Sequence, residues 1–275
     1  MVKVFLTVRN RLSLTSKCIE ALERHSRIEH HIYVYNNLTN YIVDEHFKYF
    51  CDLYKKSRID QVVFNTQSST FNAFSKAVAC NQFGFNHEQD PKKDEYDFLL
   101  FLDNDVIVLP GWDITFKKAW ADVKKNKLKN VKVISQAPGG IMKRAKLSVK
   151  IADVEASVGK CGGSGFWSIK SDFFRDIGYS KVKLLVGRNK GHDQHYWRKL
   201  DKITGSSTYS LALHIKLALH AGSIYGSICN VLTSGNEQSK KDEKMKFKNI
   251  EESVGNMNFD EFFSVICKDK KCGIW

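Results

Sequence analysis

The chain of 275 residues is 43% hydrophobic and 27% charged, with 17 Gly and 3 Pro, a composition that supplies a sizeable buried core and excludes disorder as the main theme. Its net charge of +13 favours anionic partners, and no run of about 18 apolar residues is present to span a membrane: even the stretch from Leu211 to Leu232 carries His214, Lys216 and His220. Seven cysteines without a C-x-x-C pair exclude a zinc ribbon or dithiol redox site and point to a reducing compartment, the cytoplasm.

Met1 leads directly into VKVFLTV (Val2 to Val8), an apolar, β-branched run that reads as a strand. It is too short for a signal-peptide core and lacks a small-residue cleavage site. In the following RNRLSLTSKCIEALERH, Leu14, Cys18, Ala21 and Leu22 fall at helical spacing. The alternation repeats with HIYVYNN (His31 to Asn37) before an aromatic-rich helix (Tyr41 to Tyr54), then with QVVFN (Gln61 to Asn65) before FNAFSKAVACNQF. Three successive βα units predict an α/β fold, a mostly parallel central sheet with helices on both faces.

After the polar linker from His87 to Glu95 comes DFLLFLDNDVIVLPGWD, the most apolar strand of the chain, ending in acids. In open α/β sheets ligands gather outside the carboxyl ends of the strands, which places Asp103 and Asp105 well for chemistry. Pro110 and Gly111 start a helix through Trp112, Phe116, Ala119 and Trp120. Beyond Asn130 the simple alternation ends. VKVISQ reads as a strand, APGGIMKRAKLS as a basic loop, and VKIADVEASVGKCGGSGFWSIK as strands broken by glycines. The last third holds a helix from His192 to Leu200, a strand-like segment from Lys216 to His220, a charged loop KKDEKMKFK and an amphipathic FDEFFSVI. Between Asp113 and Lys150, ten lysines and Arg144 face two aspartates, a local excess of +9 that is either a polyanion-binding block or a solvated face.

The leading chemical signal is Leu102-Asp103-Asn104-Asp105. Residues i and i+2 of an extended chain point to one side, so the two carboxylates are expected to converge on one hard divalent cation. Such a cation would neutralise a diphosphate and stabilise it as a leaving group. A polar turn capping the strand would not account for the long apolar strand before the acids or the VIVLPGWD after them.

The order of VFLTVRNR, HIYVYNN, FLLFLDNDVIVLPGWD, GGSGFWSIKSDFFRDIG and GHDQHYW resembles nucleotide-sugar glycosyltransferases of the GT-A fold, especially those like family 2, over about residues 1 to 225. The resemblance implies a domain over 1–235, with a nucleotide-binding half at 1–110 and an acceptor-binding half at 111–235, followed by a C-terminal charged loop and helix at 236–275. It implies Mn²⁺ or Mg²⁺ at Asp103 and Asp105, with His220 of LHAGSIYG as third ligand. For the sugar nucleotide, a UDP-sugar foremost, it implies Thr7 and Arg9 at the first strand, Asn36 in place of the usual base-binding Asp, Asn72 on the third helix, and Asp103 and Asn104. Gly163, Phe166 and Trp167 match the acceptor-side segment, although a glycine-rich bulge with core aromatics explains the same letters. Asp193 matches the general base of an inverting transfer, or else caps a helix, and His192 stands beside it on the acceptor side, where the family commonly has Glu. The Q-x-x-R-W motif of processive synthases is absent, which favours single transfers. The acceptor is a glycan, or a polyanion such as hydroxymethylated DNA. A nucleotidyltransferase-like metal enzyme and a non-catalytic nucleic-acid-binding protein are the two rival readings, and release of nucleoside diphosphate without pyrophosphate separates the first from them.

Overall fold

Val2, Val4, Leu6 and Val8 alternate with Phe5 along the first strand, and the two sets are buried in different clusters, one on each face of a sheet. The computed structural model describes residues 1–9, 11–37, 43–65, 72–136, 147–159, 165–179, 199–200, 202–205, 209–222, 245 and 248–269, without the side chains of 43 and 72–77. The three expected βα units are β1 (Val2–Arg9), α1 (Leu12–His25), β2 (His30–Asn37), α2 (Val43–Lys55), β3 (Gln61–Asn65) and α3 (Asn72–Glu88). β4 (Phe98–Asp103), β5 (Val106–Val108) and α4 (Trp112–Lys125) follow. Then come β6 (Val133–Gln136), β7 (Leu147–Ile151), β8 (Val154–Gly159), β9 (Phe166–Ile169), α5 (Phe173–Ile177), β10 (Ser210–Leu213), β11 (Ala218–His220) and a C-terminal α6 (Phe259–Lys268).

The main sheet runs β3-β2-β1-β4-β9-β6-β10-β8-β7. β3, β2, β1 and β4 are parallel neighbours. β9 is antiparallel to both β4 and β6, and β10 returns parallel to β6. The carboxyl ends of β1, β2, β3, β4, β6 and β10 therefore face one edge. This mixed sheet, parallel in its first half and flanked by helices, is the expected architecture.

One core layer places Leu6, Leu100 and Leu102 against α1, α2 and α4. The other places Phe5, Phe101 and Trp167 against α3 and α5. Phe101 and Trp167 stack with centroids 4.0 Å apart, a contact worth about 0.5–1.5 kcal/mol beyond its buried area. Gly84 in α3 is there for space, because a Cβ on it would meet the Phe174 ring of α5 at 2.5 Å.

The opposite edge, where the parallel strands begin, is held by charge. Lys3 is fully buried, pairs with Asp90 of the linker and lies 4.2 Å from the centre of the Tyr33 ring. Burial pushes the Lys3 ammonium down, against the pull of Asp90. Lys117 of α4 pairs with Asp97 at 2.9 Å, immediately before β4. The turn carrying Lys124, Lys125, Lys127 and Lys129 leads into the first residue of β6 and lies on this same edge. The basic stretch is thus divided: its α4 half sits away from Asp103, and Lys143, Arg144 and Lys146 lie outside the described residues.

The helical residues 248–255 and α6 return to α1. Ile250, Val254, Phe259, Phe262 and Ile266 are buried in the same cluster as Leu14 and Cys18. Asn258 and Glu261 form a capping box at the start of α6, a reciprocal pair that fixes where the helix begins.

Candidate active site

At the carboxyl edge the chain leaves β4 and turns at Asn104 and Asp105 before entering β5. Asp103 is the register partner of Thr7 on β1, and Thr7 Oγ1 donates to Asp103 Oδ1 at 2.7 Å. Two backbone bonds pin this turn: Asn104 N–H to Thr7 O at 3.1 Å, and Asp103 N–H to Gly165 O, ahead of β9, at 2.9 Å.

Asp105 goes elsewhere. Its Oδ2 accepts from Arg11 Nη1 at 2.8 Å and lies 3.2 Å from His220 Nε2. The small antiparallel sheet explains the histidine: β11 pairs with β5 so that His220 stands opposite Val106, one residue beyond Asp105, and Ala221 N–H donates to Asp105 O at 2.8 Å. Gln136, at the end of β6, accepts from the N–H groups of Leu217 and Ala218 and so fixes the approach to β11. Gly222 must be glycine for proximity, since a Cβ there would stand 3.0 Å from His220 Nε2 and 3.1 Å from Asp105 Cγ.

Burial would raise the Asp105 carboxyl, but Arg11 and His220 outweigh it and hold the group well below the usual carboxylate range. Arg11 has a left-handed backbone (φ 55) just before α1, which turns its side chain back under the acidic turn. Its Nη2 donates to Asn104 Oδ1 at 3.0 Å, while Asn104 Nδ2 donates to Thr15 Oγ1 at 2.9 Å. The Arg11 Nε is buried with no partner among the described residues. Cys18 sits beneath, buried, its thiol pushed up by burial and by Asp105 and Asp103.

The donor set fits a divalent metal in part. Asp105 Oδ2 and His220 Nε2, 3.2 Å apart, have the separation of adjacent ligands on an octahedral ion, roughly 3.0 Å for bonds of about 2.1 Å. An ion held by these two would take its other ligands from water and phosphate oxygens, as Mg²⁺ and Mn²⁺ sites commonly do. Among the described residues no group of three His, Cys, Asp or Glu side chains comes together. Of the expected Asp103, Asp105 and His220, the structure brings Asp105 and His220 together, while the chain turns at Asn104 and Asp105 and Asp103 meets Thr7.

Other expected residues are redistributed. Asn36 is fully buried, with its amide Nδ2 3.1 Å from Nδ1 of His46 in α2, whose imidazole burial pushes down to about 4. It has no surface to offer a base. Asn37 is the neighbour that shares a face with Thr7, because Thr7 pairs with Tyr35 and Arg9 with Asn37; its Oδ1 accepts from Asn65 at 3.0 Å. Arg9 is half-buried at the end of β1. Asn104 spends its amide on Arg11 and Thr15 and is a structural member of the turn. Phe166 and Trp167 are core residues, 4% and 1% exposed, and present no ring to a sugar. Asn72 begins α3, with its side chain outside the described set, and Gly163, His192 and Asp193 lie outside the described residues altogether. Sequence reasoning missed Arg11, Thr15, Gln136 and Gly222.

No protein-family model matches the sequence, and no curated protein matches it. Solved structures do. The fold resembles that of S. aureus TarS, with a TM-score of 0.50 at 16% identity, over 92% of this chain and 43% of that one. The chain thus spans less than half of TarS, and the likeness is one of fold. TarS 1-349 in complex with UDP-GlcNAc gives a TM-score of 0.47 at 15% identity, covering 97% of this chain and 76% of that chain. The mannosyltransferase PcManGT from Pyrobaculum calidifontis, in complex with GDP-Man and Mn²⁺, gives 0.47 at 10% identity, covering 77% and 54%. Among the described residues no helix is long and apolar enough to cross a membrane.

Proposed function

We propose that this chain is a metal-dependent, inverting glycosyltransferase that moves one sugar from a nucleotide-sugar donor to an acceptor hydroxyl. The observation that carries the reading is the convergence of Asp105 and His220 at the carboxyl edge of the parallel strands, beside the Thr7–Asp103 pair. An α/β sheet offers its ligand crevice at this edge. In this reading 1–110 serves the nucleotide, 111–235 the acceptor, and 236–275 is an appended segment.

A divalent ion held by Asp105 and His220 would supply Lewis-acid stabilisation of the departing diphosphate, and imidazole in the donor set favours Mn²⁺ over Mg²⁺. Arg11 keeps Asp105 ionised and aimed. Thr7 orients Asp103 as an acceptor for a donor hydroxyl, and the Asn37–Asn65 pair takes over the place assigned from sequence to Asn36. Asp193 serves as general base: it takes the acceptor hydroxyl proton as that oxygen bonds to the anomeric carbon and the bond from that carbon to the diphosphate oxygen breaks. The described Cys18, Cys51 and Cys267 are free thiols, which suits a cytoplasmic setting. A glycan acceptor fits, as does a polyanion such as hydroxymethylated DNA.

The test is a panel of UDP- and GDP-sugars incubated with the protein and Mn²⁺, with nucleoside diphosphate and pyrophosphate measured separately. Metal-dependent release of the diphosphate from one donor is expected. Pyrophosphate release would move the chain to nucleotidyl transfer. Salt-sensitive DNA binding with no nucleotide turnover or binding would leave it a non-catalytic binder.

A further inference from the structure

The first turn of α1 holds the acidic turn from below: Arg11 grips Asp105 and Asn104, and Thr15 grips Asn104. That helix start has no side-chain cap of its own, because Arg11 stands in the capping position with its side chain turned away. A helix start leaves its first N–H groups without partners. One of them is taken by a residue 238 positions away, as Ser13 N–H donates to Glu251 Oε2 at 2.9 Å. The carboxylate also faces the positive end of the α1 dipole, where a negative charge is favourable.

The rest of the contact keeps Glu251 in place. Lys17 Nζ donates to Met257 O at 2.6 Å, Arg24 pairs with Asp260 at 3.0 Å, and the His25 ring meets Phe263 at 5.0 Å. Gly255 passes close enough to Ser13 that a Cβ on it would lie 3.9 Å from the Ser13 Cβ. These contacts run along α1, and Glu251 supplies the hydrogen bond to the turn that bears Arg11.

We propose that Glu251 is a positioning residue for the metal–diphosphate site: it caps the start of α1 and thereby fixes Arg11, and through Arg11 the carboxylate of Asp105. This rests on the glycosyltransferase reading and gives the C-terminal segment a part in it. The action depends on reach more than on charge, because what is fixed is the position of the Ser13 peptide. Partners one step outside a metal's own ligands typically alter affinity about 10–100-fold, and Glu251 stands further out, so the lower end applies.

The test is UDP–Mn²⁺ affinity by titration calorimetry, with binding of Mn²⁺ to the protein and UDP followed by electron paramagnetic resonance, in the full chain well below its melting temperature. Glu251→Ala is expected to weaken UDP–Mn²⁺ binding about tenfold. Glu251→Asp, which keeps the charge but withdraws the carboxylate by one methylene, is expected to lose affinity in the same direction. It also carries the test if the alanine variant fails to fold. Glu251→Gln, which keeps reach and an acceptor, is expected to bind near the parent level. Asp260→Ala, which removes a C-terminal contact at the far end of α1, is expected to leave affinity unchanged. If Glu251→Asp and a folded Glu251→Ala bind as tightly as the parent while Asp105→Ala does not, Glu251 is only a helix cap and the proposal is overturned. If Asp105→Ala also binds as the parent does, the site itself is misassigned and the proposal falls with it.

Discussion

Replacing Arg11 by Met removes the cation 2.8 Å from Asp105 Oδ2 and leaves a carboxylate only 5% exposed. Removing one partner of a buried ion pair costs about 3–5 kcal/mol. At roughly 2–4 °C per kcal/mol for chains of this order, the melting temperature falls by roughly 6–20 °C. His220 still stands 3.2 Å from the same oxygen, which puts the expected fall in the lower half of that range. The pH dependence has a definite sign. In the parent the folded Asp105 pKa is depressed, so its stabilising contribution is complete above the unfolded value near 3.9 and is lost only as pH falls through the depressed folded value. In Arg11→Met burial acts with less opposition and lifts the carboxyl relative to the parent, so the deficit against the parent narrows as pH falls. Melting curves of the parent and variant, in chelator, at pH 7.5 and pH 4.5 would show this. Equal melting temperatures at pH 7.5, or a deficit that does not narrow at pH 4.5, would refute the role given to Arg11.

Gly222→Ala is expected to force Asp105 and His220 apart, costing about 1–3 kcal/mol of stability and weakening UDP–Mn²⁺ binding about tenfold; calorimetry showing parent affinity in the folded variant would mean that the pair does not hold the ion. Asp105→Ala is expected to abolish metal-dependent UDP binding and Asp103→Ala to weaken it less, because Asp103 is turned to Thr7; the reverse order would restore Asp103 as the principal ligand. Asp193→Asn is expected to keep fold and donor affinity but slow transfer by about 10²–10⁴-fold, and single-turnover assays at the parent rate would reduce Asp193 to a helix cap.

The frame of the fold was legible because hydrophobic period and strand-end chemistry are local. The three βα units and the strand leading to Asp103 followed from those signals. The resemblance supplied His220, and the β5–β11 register explains physically why it meets Asp105. Asn36 and Asn37 differ in parity: a one-residue step along β2 moves a side chain to the other face, and pairing with β1 puts Asn37 on the side of Thr7. The burial of Phe166 and Trp167 depends on strands that meet β9 from far away, β4 and β6, which no local pattern shows. Arg11 could not be read at all as a partner of Asp105, because nothing in RNR announces a left-handed residue or an ion pair across 94 positions. The opening Glu251 makes towards α1 is of the same kind, a contact between chain ends that no local pattern encodes.

β9 runs against its two neighbours, and so the edge that bears Asp103 is where one segment departs and another arrives. Gly165, the point of arrival, is tied to the Asp103 peptide by a single bond of 2.9 Å, with no helix between to absorb a displacement. Sequence drift just ahead of Gly165 is therefore felt at the acidic turn, and the two halves of this sheet are not free to diversify independently. The turns after β7 and before β3, at the outer edges of the strand order, are tied to Asp122 and to Ile32 rather than to Asp103, and it is there that a lineage built on this scaffold can vary without disturbing Asp103.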